Sequence, residues 1–236
     1  MLFLFAAVAM AVMVFAHTAP FPFLLDGLAS GTAVWQMPSQ PDRPAIYLTF
    51  DDGPNPTATP ALLDVLADLD ARATFFLIPR HLNDETAPIV QRILDEGHAI
   101  GVHSHTTGLI WQSPDALVET VTASAALIEE LGGAPPCRAF RPHGGWRSGQ
   151  MFEGLMRIDY VLVGWGWGLW DWNWFQAREP EGLARRLAGK ASDGDIIIIH
   201  DGHHEDPRAD RRYAVDATAL LVPALRERGF TLGTIC

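Results

Sequence analysis

The sequence predicts a single-domain α/β fold, a distorted barrel of the (β/α)7 type. Short apolar runs alternate with segments of helical spacing from residue 45 onward, a pattern typical of a parallel sheet flanked by helices. There are seven such runs and no glycine-rich dinucleotide fingerprint, so a closed or nearly closed barrel is favoured over an open doubly wound sheet. The 236 residues, 48% of them hydrophobic, are enough for the core of one large domain.

Each apolar run is predicted to be a buried strand, because strands that are covered on both faces are apolar throughout. The predicted strands span residues 46–50, 73–78, 99–103, 138–141, 160–164, 195–200 and 230–235.

Four helices are predicted from apolar residues that recur at helical spacing. Two have leucine or isoleucine faces, at residues 62–69 and 89–94. A third begins at Ser113-Pro114, with Ser as the cap and Pro at the first helical position, and runs to about Leu131. The fourth spans residues 214–228 and is expected to stop at Gly229.

Residues 1–17 are predicted to be a hydrophobic signal-anchor or membrane segment, followed by a linker at 18–44 and the barrel at 45–236. The apolar start is shorter than the roughly 20 residues of a spanning helix and lacks the basic start of a secretory signal. A truncated or mis-started anchor is an equal alternative. The segment favours membrane association or an extracytoplasmic location, and a cytoplasmic one stays open.

Composition excludes one class of partner. The formal net charge of -11 argues against nucleic acid, whose phosphates require a basic surface. The two cysteines, Cys137 and Cys236, are too few for a disulfide framework and are expected to be isolated small apolar residues.

Ionisable side chains gather where the predicted strands end, which is where barrels of this type carry their chemistry. These residues are Asp51, Asp52, His103, Arg141, Asp171 and His200. The pair Asp51-Asp52 is the strongest signal, because helix capping would use one carboxylate but hardly both. Adjacent side chains suit a division of labour in which one carboxylate ligates a divalent cation and the other takes a proton from water.

The run Thr-Phe-Asp-Asp-Gly-Pro at 49–54 resembles the first motif of the polysaccharide deacetylases, the NodB-type carbohydrate esterases of family four. That family acts on chitin, chito-oligosaccharides, peptidoglycan and related N-acetylated glycans. The resemblance covers most of residues 45–235. It implies that Asp51 is the general base, that Asp52 is a metal ligand, and that the cofactor is a divalent metal such as Zn²⁺ or Co²⁺.

The second motif of that family, His-Ser/Thr-x-x-His, is matched only in part. His103 and Ser104 match, but Thr107 stands at the position of the second histidine and His105 lies two residues earlier. Three alternatives follow: an irregular loop brings His105 to the metal, the metal is held by Asp52 and His103 with waters or another histidine, or the metal has been lost. Catalytic zinc usually has three protein ligands, so the third ligand is uncertain.

The remaining motifs of the family are present in order. Arg141 matches the arginine that keeps the base ionised, and Gly144 replaces a tyrosine whose backbone N–H stabilises the oxyanion. His143 could approach the metal, but the sequence does not favour it as a ligand. The resemblance further implies that His200 is the general acid. It also gives Asp171 the role of orienting that histidine, and Trp172 and Trp174 a place in a sugar-binding wall.

The predicted function is therefore hydrolysis of N-acetyl groups of amino sugars, a reaction at carbon–nitrogen bonds other than peptide bonds. Two alternatives remain: a glycan-binding barrel that has lost its metal, and an amidase that acts on a non-sugar amide. A glycoside hydrolase is disfavoured, because it would need two separated carboxylates flanking the scissile bond.

Overall fold

The computed structural model describes residues 4–10, 33–166 and 179–236. Its sheet is parallel, with strand order β1-β6-β5-β4-β3-β2-β7, and β8 pairs with β2 beside that path. The strands are β1 (Ala33–Val34), β2 (Ala45–Gly53), β3 (Thr74–Leu77), β4 (Ala99–His103), β5 (Ala139–Arg141), β6 (Val161–Val163), β7 (Ile196–His200) and β8 (Thr231–Gly233).

Helices follow most of the strands along the chain. From residue 33 onward they are α1 (Ala58–Asp68), α2 (Ala87–Asp95), α3 (Pro114–Gly132), α4 (Gly149–Arg157), α5 (Pro180–Lys190) and α6 (Arg212–Glu227). Short 3₁₀ turns at Pro79–His81, Thr107–Trp111 and His143–Gly145 follow β3, β4 and β5. They form part of the edge at which the parallel strands end.

The sheet curls until its two ends nearly meet. Gln36, just after β1, forms an antiparallel bridge with Asp195, just before β7. The N–H of Gly166, beyond β6, donates to Ile196 O at 2.8 Å. The predicted single-domain, distorted (β/α)7 barrel is therefore confirmed, in the form of a strongly curled parallel sheet.

Alternate residues of β2 pack on opposite faces of the sheet. Ile46, Leu48 and Phe50 belong to a large cluster that also contains the apolar faces of the helices. Ala45 and Tyr47 belong to a smaller cluster on the inner face of the curl. The same alternation places Asp51 on the inner face, at the carboxyl end of the strand.

All seven predicted strands are present, and so is the cap of α3, where the Ser113 hydroxyl accepts from the N–H of Ala116 at 3.3 Å. The structure adds β1 within the predicted linker. Two residues are too few for any periodicity to show, so the pairing of β1 with β6 decides its conformation.

The prediction for the two cysteines is wrong. Cys137 and Cys236 form a disulfide with a Cα–Cα distance of 6.1 Å. They are 99 residues apart in sequence, and the pairing of β3 with β4 brings them together, because Ile235 contacts the start of β3 and Cys137 contacts β4.

Residues 4–10 are helical, and the rest of the predicted hydrophobic segment lies outside the described residues. Within the described ranges, we find no helix with both the length and the apolar character needed to cross a membrane.

Candidate active site

Parallel pairing places the predicted catalytic residues next to one another. Asp51 on β2 lies in register with His200 on β7, and His103 on β4 lies in register with Arg141 on β5. All four residues are at the carboxyl ends of their strands, so they share one edge of the curled sheet.

An irregularity in β2 lets two consecutive carboxylates face the same site. The register of β2 with β3 shifts between Asp51 and Gly53, and Asp52 has a positive φ of 69°. In a regular strand the two side chains would point to opposite faces. Here Asp51 Oδ2 lies 3.7 Å and Asp52 Oδ1 lies 3.3 Å from His103 Nε2.

Arg141 is fully buried and all its polar contacts are made within the barrel. Its Nη1 donates to Asp51 Oδ1 at 2.5 Å and to the Thr49 hydroxyl at 2.8 Å. The Nε and Nη2 groups donate to Val163 O and Gly164 O, and the guanidinium lies 3.9 Å from the ring centroid of Phe76. The arginine therefore fixes one oxygen of Asp51 and leaves the other facing His103.

The ring of His103 is oriented by its second nitrogen. Nδ1 lies 2.8 Å from Arg141 O and donates to it, which turns Nε2 toward the carboxylates. Burial by itself lowers the pKa of His103, but the charges of Asp51 and Asp52 outweigh burial and raise it. Burial likewise raises the pKa of Asp52, yet contact with His103 and the nearby His200 lower it below the usual range.

Three side chains in the described part of the chain form the one group that could hold a metal ion. Asp52, His103 and His143 each offer a ligand atom, and these atoms lie within 4.8 Å of one another. Asp52 Oδ1 is buried and, apart from the approach of His103 Nε2 at 3.3 Å, has no hydrogen-bond partner, so a cation would satisfy this oxygen. Two imidazoles and a carboxylate are a donor set that zinc and cobalt accept.

Neither His105 nor Thr107 joins this group. His105 is partly buried, and Thr107 is exposed at the first position of the 3₁₀ turn Thr107–Trp111. The structure therefore does not bring His105, a predicted ligand, into the group formed by Asp52, His103 and His143.

The turn after β5 presents a backbone donor. Gly144 and Gly145 have positive φ values of 60° and 74°, a conformation that glycine adopts at little cost. The N–H groups of His143, Gly145 and Trp146 donate to Ser104 Oγ, Pro142 O and His143 O. Within the described residues, the N–H of Gly144 is the donor of this turn that remains for a ligand.

A second buried carboxyl follows His200. Burial raises the pKa of Asp201 to about 7, and the charges of Asp52 and Asp51 add to the rise. The Thr59 hydroxyl donates a short hydrogen bond to Asp201 Oδ2, and this bond partly offsets the rise in the pKa of Asp201. Asp201 therefore lies behind the site as a carboxyl that is easily protonated.

Several residues of the site were not predicted from the sequence. His81 lies in the turn after β3, where no sequence motif marks it. Its Nδ1 is 3.2 Å from the carbonyl oxygen of Asp52. Asp201 follows His200 directly, and its burial depends on the packing of α1. The predicted residues Asp171, Trp172 and Trp174 lie outside the described residues.

The fold and this edge define a class: a barrel hydrolase with a buried carboxylate–arginine pair beside a carboxylate and two imidazoles. The family model described as polysaccharide deacetylase matches residues 39–163, more than half of the chain. A peptidoglycan-N-acetylglucosamine deacetylase of Bacillus cereus is 31% identical, over 87% of this chain and 92% of that protein. A chitooligosaccharide deacetylase of Azorhizobium caulinodans is 35% identical, over 81% of this chain and 92% of that protein.

The solved structures give the same result. A family 4 acetyl xylan esterase from Clostridium thermocellum, in complex with a cobalt ion, superposes with a TM-score of 0.71 at 31% identity. The match covers 81% of this chain and 88% of the esterase. The chain belongs to the polysaccharide deacetylase family.

Proposed function

We propose that the protein removes acetyl groups from the amino sugars of an N-acetylated glycan of the chito-oligosaccharide or peptidoglycan type, with the help of a divalent metal ion. The observation that carries the proposal is the Arg141–Asp51 pair: one carboxylate oxygen is held at 2.5 Å and the other faces His103. The names of the relatives supply the substrate class.

The residues divide the reaction among them. Asp51 accepts a proton from the water molecule whose oxygen attacks the acetamide carbon. The N–H of Gly144 donates to the oxyanion that forms, and His200 then protonates the nitrogen as the carbon–nitrogen bond breaks. The products are acetate and a free amine. A divalent cation held by Asp52 and His103 would supply a Lewis acid and lower the pKa of a bound water molecule.

The cation is proposed to be Zn²⁺ or Co²⁺. Imidazole and carboxylate ligands suit both ions, and the similar esterase structure contains cobalt. Glycan binding is proposed to involve Trp172 and Trp174, with Asp171 orienting His200.

The direct test measures acetate release from chito-oligosaccharides and from peptidoglycan fragments, after chelation and again after addition of Zn²⁺ or Co²⁺. We expect Asp51→Asn to lower kcat by about 100-fold or more, the usual size of a general-base contribution. Asp84→Asn, at an exposed position, is the matched control and should leave activity unchanged. Full activity in Asp51→Asn would contradict the assigned base.

The same assays separate the alternatives. Oligosaccharide binding without bound metal and without acetate release would favour a glycan-binding barrel. Release of acid from simple amides but not from glycans would favour a non-sugar amidase.

The protein is also proposed to be located outside the cytoplasm, with residues 1–17 as its membrane anchor or signal. The Cys137–Cys236 disulfide supports this location, because structural disulfides persist mainly in oxidising compartments. Thiol trapping in intact cells tests it: a disulfide-free pool in the cytosolic fraction would contradict the proposal.

A further inference from the structure

The departure at Thr107 leaves the cation proposed above with one protein ligand too few. Asp52 and His103 supply two donors, while catalytic zinc sites usually have three. Thr107 is exposed, and a hydroxyl is in any case a poor replacement for an imidazole. A third protein donor would have to come from another part of the edge.

His143 reaches the site from a different loop. It lies in the turn His143–Gly145, directly after β5, whereas Thr107 lies in the turn after β4. Its ring centroid is 6.1 Å from that of His103, and its ligand atom lies within 4.8 Å of those of Asp52 and His103. The three donors thus come from the carboxyl ends of β2, β4 and β5; β4 and β5 are paired, and β3 lies between β2 and β4.

Ser104 holds His143 in this position. Its buried hydroxyl accepts a hydrogen bond from the backbone N–H of His143 at 2.8 Å. The serine that follows His103 thereby ties the loop after β4 to the loop after β5. The left-handed Gly144 and Gly145 allow the chain to turn sharply behind His143.

Two polar atoms of this group lack a hydrogen bond. Asp52 Oδ1 and His143 Nδ1 are both buried, and neither has a hydrogen-bond partner among the described residues. The ring of His143 also packs against that of His204, at 4.5 Å between centroids, which restricts its rotation. Buried polar atoms are rarely left unpaired in native proteins, and a shared cation would satisfy both.

We propose that His143 is the third protein ligand of the divalent cation, and that it replaces the histidine that is absent at residue 107. His105 then lies at the rim and does not bind the metal. The inference rests on the metal dependence of the proposed function, but not on the identity of the glycan.

The test is Zn²⁺ affinity, measured by calorimetric titration of the chelator-treated protein. His143→Ala is expected to weaken binding by more than about tenfold, since even the loss of a residue that merely supports a ligand costs 10- to 100-fold at metal sites. His105→Ala is the matched control, an imidazole from the neighbouring loop, and should bind Zn²⁺ as the natural protein does. Unchanged affinity in His143→Ala, or an equal loss in His105→Ala, would overturn the proposal.

A second measurement does not depend on the folding of His143→Ala. The Co²⁺-loaded protein should show two strongly shifted imidazole N–H proton resonances, from His103 and His143, and His105→Ala should retain both. Loss of one resonance in His105→Ala would make His105 the ligand. Tight three-ligand binding without acetate release would leave this inference standing and refute the proposed function. Acetate release by a protein that binds no metal would overturn this inference and the metal dependence of the proposed function, and would leave only the deacetylation itself standing.

Discussion

At the scale of single residues, the most demanding feature of the site is the fully buried ion pair of Arg141 and Asp51. Removal of one partner leaves the other charge in the barrel without compensation, which commonly costs about 3–5 kcal/mol of unfolding free energy. The carbonyls of Val163 and Gly164 would lose their donors as well. Arg141 thus stabilises the fold and also holds the carboxylate of the proposed base, Asp51, in position.

We expect Arg141→Met to lower the unfolding free energy by about 3–5 kcal/mol, as measured by urea denaturation. The double variant Arg141→Met/Asp51→Asn should recover part of this loss, because the uncompensated carboxylate is gone. If the double variant is as unstable as the sum of the single variants, the two side chains are not coupled and the pair has been misjudged.

Asp201 predicts a dependence of stability on pH. Its pKa is about 7 in the folded protein and 3.8 ordinarily, so ionisation of Asp201 opposes folding. This cost is nearly absent below about pH 4, grows as the pH rises toward 7, and is constant above that. Asp201→Asn removes it and can still accept from the Thr59 hydroxyl.

On the metal-free protein, Asp201→Asn should therefore raise Tm at about pH 8 and have little effect at about pH 4. Thermal unfolding followed by circular dichroism across this range provides the measurement. An equal change in Tm at both pH values would show that Asp201 does not titrate in this window.

At the scale of elements, the site depends on the contact between the ends of β2 and β7. Gly202, just after β7, approaches the bulge of β2 so closely that an added Cβ would lie 1.9 Å from Asp52 O. Its N–H also donates to Asp51 O at 3.2 Å. Because the clash is with backbone, the bulge itself must move, and the carboxylate of Asp52 moves with it.

Gly202→Ala is thus expected to weaken Zn²⁺ binding and acetate release together, and to lower Tm. Gly189→Ala is the matched control: Gly189 is exposed in helix α5 with no atom within 4 Å of an added Cβ. There alanine should leave activity unchanged and stabilise by up to about 1 kcal/mol. Normal Zn²⁺ affinity in Gly202→Ala would mean that the close approach does not position Asp52.

At the scale of the whole molecule, the sequence predicted what depends on local pattern. The buried strands appear as apolar runs, and residues that end parallel strands must meet at one edge. For that reason the sequence alone predicts that Asp51, His103, Arg141 and His200 lie together. The same logic failed where the backbone departs from regularity.

Three features could not be predicted for identifiable reasons. The bulge at Asp52 is a departure from strand alternation, and nothing in the apolar pattern marks it. His143 reaches the candidate metal group only because Gly144 and Gly145 adopt left-handed φ values and Ser104 holds its backbone. The disulfide joins residues 99 positions apart, so it depends on long-range strand pairing that no local pattern reveals.

The disulfide lies at the edge of the barrel opposite the site. The N–H of Cys137 donates to Ile100 O near the start of β4, and the N–H of Ile235 donates to the Thr74 hydroxyl at the start of β3. Residues at this amino-terminal edge of a barrel contribute to stability, whereas catalysis takes place at the carboxyl edge. Stability and activity should therefore be separable.

Reduction of the Cys137–Cys236 bond should lower the free energy of unfolding by about 4–5 kcal/mol, the chain-entropy value for a loop of about 100 residues. Below the unfolding transition, kcat and the Kd for Zn²⁺ should not change. The double variant Cys137→Ala/Cys236→Ala should have the stability of the reduced protein and be insensitive to reductant. A fall in Zn²⁺ affinity on reduction of the folded protein would show instead that the two edges are coupled through β4 and β5.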